Sequence, residues 1–280
     1  MNKRILNEVT FKKSSLNKKV LAKTFKDYGV VLIKNFFNQS SLDKFINEAN
    51  HFLLEPMVNG NFGFFKVDHP KKFVDPFQMS LNSKLFCLNE ELIDIVEHLM
   101  NSKCILSEAT IKFDKSTAYE YFGPHNDYVE GTKRSKYFDK TVSKSMINSI
   151  LAIGGVLYLH DCKEGSFYYL SKSHKFKADK GQILNKYPKE VIYELEKGRV
   201  KLDGAKGDLV LFDDRGFHGP SQPSKKDRLV LLLDWFNEKS WKGKFQMRPF
   251  TILSNEIDKF SKKQTRVMGV GSKSMENLPE

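Results

Sequence analysis

The run Leu229-Val230-Leu231-Leu232-Leu233 is apolar at every position. Side chains alternate between the two faces of a strand, so a strand made of this run has no face for water and needs cover on both sides. That requirement points to the central strand of a sandwich or barrel. Four further runs of strand character precede it: Cys104 to Phe113, Ile150 to His160, Ser166 to Leu170 and Asp208 to Phe212. Near the start, Tyr28-Gly29-Val30-Val31-Leu32-Ile33 adds a short, apolar and β-branched run.

Helical periodicity is strongest in three segments. Leu42, Phe45, Ile46, Ala49, Phe52 and Leu53 form one stripe, opened by Ser40-Ser41 and closed by Pro56. Ser40 and Asp43 stand three apart, as the partners of a capping pair do. From Asn89 to Met100, Leu92, Ile95, Val96 and Leu99 share a face, with His98 off the stripe and expected at the surface. A third helix is expected after Pro188, carried by Val191, Ile192 and Leu195 and stopped by Gly198. The expected class is therefore α+β with a mainly β core, a sandwich or barrel with helices packed outside. Residues 1–24 are polar and Lys-rich and are expected as a loose arm or short helix. Residues 25–268 are expected as one domain and residues 269–280 as a flexible tail.

Composition removes several classes. With 280 residues, 40% of them hydrophobic, the chain buries a sizeable core without staples. Cys87, Cys104 and Cys162 are odd in number and lack metal-type spacing, so they read as small core or boundary residues. The basic start lacks an apolar signal region and no apolar run is long enough to span a bilayer, so the expected compartment is the cytoplasm. The net charge of +12 comes from 46 basic against 34 acidic residues. Its lysines are scattered in pairs such as Lys12-Lys13 and Lys225-Lys226 rather than clustered, and a nucleic-acid partner is not expected.

Two of the seven histidines sit in settings that carry chemistry. In Gly123-Pro124-His125-Asn126-Asp127-Tyr128 an imidazole and a carboxylate are separated by one residue after a strand. Positions i and i+2 project to the same side, so both reach one point. In Gly207 to Gly219, read GDLVLFDDRGFHG, a strand runs into a Gly-bounded turn that holds His218. Arg228, ten residues on (228 − 218), opens the apolar strand, where a guanidinium demands an anionic partner. Two His and one carboxylate make the facial triad of non-haem Fe(II) oxygenases, which leaves one face of the metal for a chelating 2-oxo acid and O₂. A remote Arg suits the far carboxylate of that acid. His-x-Asp alone occurs by chance. The composite, with His218 following His125 by 93 residues (218 − 125) and Arg228 at plus ten, is far more specific.

At these motifs the chain resembles the phytanoyl-CoA dioxygenase (PhyH) branch of the Fe(II)/2-oxoglutarate oxygenases. FKDYGVVLIKNFFNQSSLDKFINEA resembles the family's first strand and helix, and PHNDY its His-x-Asp segment. VLYLHDCKEGSFYYLSKSHK is similar to its paired strands ending in Ser-His-Lys, and GDLVLFDDRGFHG with Arg228 to its distal segments. The resemblance implies a double-stranded β-helix, a jelly roll with helices outside. It implies His125, Asp127 and His218 as Fe(II) ligands and Arg228 as the anchor of the 2-oxoglutarate 5-carboxylate. Many members carry a Ser two residues after the distal His. Here that position is Pro220, and Ser221 is the candidate for the role. Halogenating relatives replace the metal carboxylate by a small residue, so Asp127 favours hydroxylation. His174 matches a family motif and is read as structural.

The remaining candidates keep two readings each. Lys133, Arg134 and Lys136 make the segment after Asp127 basic, either a lid for an anionic substrate or a solvated Lys-rich loop. His160, at a strand end, is either a 2-oxoglutarate or substrate contact or a boundary residue. Phe62 to Lys66 and Tyr121-Phe122 either wall a pocket or pack in a core. The expected function is hydroxylation of a small, anionic metabolite with release of succinate and CO₂. The alternatives are a non-catalytic jelly-roll binding module and a nucleic-acid demethylase.

Overall fold

The computed structural model describes residues 2–54, 71–114, 116, 123–131, 142–180, 182–221, 226–241, 250 and 252–270. The strands are β1 (Thr10–Lys12), β2 (Val30–Lys34), β3 (Lys71–Val74), β4 (Cys104–Asp114), β5 (Ala152–Tyr158), β6 (Cys162–Leu170), β7 (Arg199–Gly204), β8 (Leu209–Asp213), β9 (His218–Pro220) and β10 (Arg228–Asn237). Seven of them form one sheet in the order β1-β2-β8-β5-β10-β4-β3, and three form a second in the order β7-β6-β9. Every pairing is antiparallel except that of β1 with β2.

The apolar run of β10 receives the cover it needs. Leu229, Leu231, Leu233 and Trp235 join a core on the outer face of the large sheet. Val230 belongs to a second core between the sheets, with Val156, Tyr158, Val210 and Phe212 from the large sheet and Phe167, Tyr169, Val200 and Leu202 from the small one. The helices supply the outer cover: α2 (Lys18–Tyr28) with Leu21 and Phe25, α3 (Gln39–Leu54) with Leu42, Phe45 and Ala49, and α5 (Glu90–Met100) with Leu92, Ile95 and Val96. Each of the larger side chains among these, Leu, Ile, Val or Phe, contributes roughly 1.5–3 kcal/mol by leaving water. The remaining helices are α1 (Lys3–Val9), α4 (Leu81–Cys87), α6 (Lys189–Glu196), α7 (Glu238–Trp241) and α8 (Lys262–Val267). The architecture is a jelly roll with helices packed on its large sheet.

Several local expectations need correction. Helix α3 is capped by Asn38, whose Oδ1 accepts from Ser41 N–H at 2.9 Å. The helix starts earlier than the stripe implies, so Ser40 already lies inside it. Asp43 is drawn instead to Lys206 at 2.6 Å, and this hydrogen bond holds its carboxyl below the usual carboxylate range. Pro188 caps α6 rather than occupying its first turn.

The amino-terminal segment is not a loose arm. It forms α1, β1 and α2, with Val9 and Leu21 fully buried and β1 paired along β2. The apolar residues Leu6, Val9, Leu21 and Phe25 are diluted among lysines, so an average over the segment hides them. Cys87, Cys104 and Cys162 are free and buried. Burial pushes the Cys162 thiol up to about 11. Residues 271–280 of the expected tail lie outside the described residues.

Candidate metal centre

The two halves of the site meet through backbone. His125 N–H donates to the His218 carbonyl at 3.0 Å, and His218 N–H returns the bond to His125 at 2.8 Å. This closed pair adds residue 125 to the small sheet beside β9. Asp127 N–H donates to Asp214 O at 2.9 Å and Asn126 N–H to Gln182 O at 3.0 Å. The Gln182 side chain donates to Asp127 O at 3.1 Å. The chain after His125 is therefore fixed on two sides before any ligand is considered.

The side chains converge. One donor atom from each of His125, Asp127 and His218 lies within 4.8 Å of the others. His218 Nε2 is 3.6 Å from Asp127 Oδ2, and the two imidazole centroids are 4.7 Å apart. His218 Nδ1 lies 2.9 Å from Gly216 O and His125 Nδ1 3.2 Å from Gly123 O. A carbonyl only accepts, so each Nδ1 donates its N–H there and each Nε2 is the nitrogen left to face the site. Two imidazoles with their outer nitrogens held in this way, plus one carboxylate, form a donor set that fits a divalent iron ion.

Small residues make this packing possible. The Phe212 ring lies 4.5 Å from the His218 ring, and Phe167 lies on it at 5.7 Å. A Cβ on Gly154 would come within 2.3 Å of Phe212 Cζ. One on Gly216 would come within 1.9 Å of Tyr169 Oη, in the turn whose carbonyl orients His218.

Arg228 is 4% exposed and already has an anionic partner. Its Nε donates to Asp114 Oδ2 at 2.7 Å, Nη2 donates to the same oxygen, and Nη1 donates to Gly165 O at 2.9 Å. Lys112 Nζ lies 3.2 Å from Asp114 Oδ1. Ser221 is held against the next residue of β6, its N–H and hydroxyl both donating to Ser166 O. Arg228 and Ser221 thus meet adjacent residues of β6, Gly165 and Ser166.

His160 falls beside this group. Val230 pairs with Tyr158, and continuing that antiparallel register sets His160 opposite Arg228. Its Nε2 is buried without a hydrogen-bond partner among the described residues, and burial lowers its pKa, favouring the neutral ring. His174 is distant in role: its Nε2 donates to Lys26 O at 3.1 Å, tying it to the last turn of α2. His51 and His98 are exposed. Lys133, Arg134, Lys136, His69, Phe62 to Lys66 and Tyr121-Phe122 lie outside the described residues.

Sequence reasoning missed Asp114, Lys112 and the two carbonyls that orient the imidazoles. The demand for an anion beside Arg228 was legible, but the identity of that anion depends on the register of β4 against β10.

A family model described as phytanoyl-CoA dioxygenase (PhyH) matches residues 25–230. No curated protein sequence matches significantly. Among solved structures, the chain is similar to EctD from S. alaskensis with 2-oxoglutarate and 5-hydroxyectoine, at 15% identity and TM-score 0.60, over 82% of this chain and 78% of that one. It is similar to SnoK, a non-heme alpha ketoglutarate dependent carbocyclase from nogalamycin biosynthesis, at 13% identity and TM-score 0.59, over 89% and 92%. It is also similar to HygX from Streptomyces hygroscopicus with nickel and 2-oxoglutarate bound, at 16% identity and TM-score 0.55, over 79% and 87%. At these identities the likeness establishes the fold.

Proposed function

This chain belongs to the phytanoyl-CoA dioxygenase family, and on that premise we propose that it hydroxylates a small, anionic metabolite, using Fe(II), 2-oxoglutarate and O₂ and releasing succinate and CO₂. The observation that carries this reading is the convergence of His125, Asp127 and His218 within 4.8 Å, each imidazole oriented by a backbone carbonyl. In this reading these three residues hold the iron. When bound, iron with 2-oxoglutarate supplies the oxidising chemistry that activates O₂ for attack on a substrate C–H bond.

The chain's own residues do the rest. Asp127 supplies the anionic donor and keeps its position filled, which favours hydroxylation over halogenation. Arg228 binds the distal carboxylate of 2-oxoglutarate, with Ser221 at its side and neutral His160 as a further contact. Phe212 and Phe167 keep water from the inner side of His218. Lys133, Arg134 and Lys136 attract the substrate's negative charge. Three buried thiols stay reduced in the cytoplasm, the compartment of this reading.

The test is anaerobic visible spectroscopy of the purified protein as Fe(II) and then 2-oxoglutarate are added. A charge-transfer band that disappears in Asp127→Ala supports the assignment; no band, with no iron retained, sinks it. For substrate class, Ala at Lys133, Arg134 and Lys136 together raises KM for the anionic substrate roughly tenfold with kcat little changed. An unchanged KM rejects the basic lid.

A further inference from the structure

We propose that Asp114 is a positioning residue that, through Arg228, sets how tightly the protein holds the distal carboxylate of a 2-oxo diacid. The inference rests on the reading of Arg228 as the cosubstrate anchor and deepens it.

Asp114 and Arg228 are direct cross-strand partners at the ends of β4 and β10. Arg228 shares a strand face with Val230, which packs between the two sheets. Lys112 and Asp114 stand on the matching face of β4, as their ion pair shows. The row Lys112, Asp114 and Arg228 therefore lines the interior. Asp114 is 1% exposed, and both of its oxygens are used: Oδ2 takes Nε and Nη2 of Arg228, and Oδ1 faces Lys112. Gly165 O holds Nη1 from the other sheet.

Two consequences follow from charge and geometry. First, the guanidinium plane is fixed from two directions before any ligand arrives, so its orientation is not lost to side-chain freedom when a carboxylate binds. Second, the buried Asp114 carboxylate offsets the charge of the two cations beside it. Without Asp114, Lys112 and Arg228 would repel across a buried space, and the guanidinium would lose its fixed plane.

A purely structural ion pair would not discriminate between ligands, and this gives the experiment. Dissociation constants of 2-oxoglutarate and of 2-oxobutyrate, which lacks the distal carboxylate, are measured by anaerobic titration of the Fe(II)-loaded protein, following the visible band. Wild type, Asp114→Asn and Asp114→Glu are compared, with melting temperatures in parallel. In Asp114→Asn the constant for 2-oxoglutarate is expected to rise about tenfold, because the guanidinium is no longer held in its plane and must be ordered on binding, while that for 2-oxobutyrate stays within twofold. Asp114→Glu keeps the charge, displaces it by one methylene, and is expected to fall between. If Asp114→Asn does not fold, the Asp114→Glu ratio decides alone. An unchanged ratio, or an equal rise for both acids, overturns the inference. Should wild type bind both acids equally, Arg228 is not the anchor, and that reading falls together with this one.

Discussion

A histidine buried against a helix end makes stability depend on pH in a direction that can be worked out. His174 sits in a turn beneath α2, where loss of hydration lowers its pKa below the ordinary 6.5. The unfolded chain therefore takes up this proton more readily than the folded one. The contribution of the neutral ring is complete above about pH 6.5 and is lost as pH falls toward the lowered folded value. Melting temperature should drop between pH 7 and pH 5, and should drop less in His174→Gln; equal slopes would show that another group controls the transition. The same residue scale shows what motifs can carry. His125, Asp127 and His218 were legible as a group because the facial-triad pattern specifies residue types and the His-x-Asp spacing is local in sequence. Asp114 was not, since a lone acid after Lys112-Phe113 looks like any strand end until Arg228 stands opposite.

Boundaries of elements separate local from tertiary information. Helix α3 was legible from its stripe, but its first turn was not, because Asn38, Ser40 and Ser41 are all good caps and only the chain's entry angle chooses among them. Asn38→Ala should cost about 1 kcal/mol of stability in urea unfolding, and Ser40→Ala less than about 0.5 kcal/mol. The reverse order would restore Ser40 as the cap. Strand β7 shows the opposite limit. Val200, Leu202 and Gly204 are its buried positions, and Arg199, Lys201 and Asp203 are intermediate, so the strand follows a strict period of two. Only six residues carry that signal, directly after α6, and so short a run does not stand out from a loop. β1, β3 and β9 are shorter still and take their identity from their neighbours.

At the scale of the molecule, the order of helices and strands was enough to read a β core with helices outside, because the fully apolar β10 needs cover on two faces. What the order did not reveal is how far the amino terminus belongs to the body. Deleting residues 1–24 removes β1 from β2 and exposes the core that Val9 and Leu21 fill. The shortened chain should unfold at lower denaturant concentration than the full one, with a midpoint clearly displaced; a coincident midpoint would return the segment to the status of an arm. The scattered lysines also acquire local tasks in the structure, among them Lys206 with Asp43, Lys84 with Glu256 and Lys263 with Asp94.

The mutual backbone bonds of His125 and His218 have a consequence in time. The two residues are 93 positions apart (218 − 125), and what joins them is sheet pairing rather than a local turn. A nascent chain passes through a long interval in which one histidine has been synthesised and its counterpart has not. Loop closure over such a span is slow compared with forming α2 or α5. If these residues hold iron as proposed, its capture waits until the sheets have docked, and an ion that then binds only the finished form draws the folding equilibrium further toward it. Metal uptake would serve as a clock for the last stage of folding.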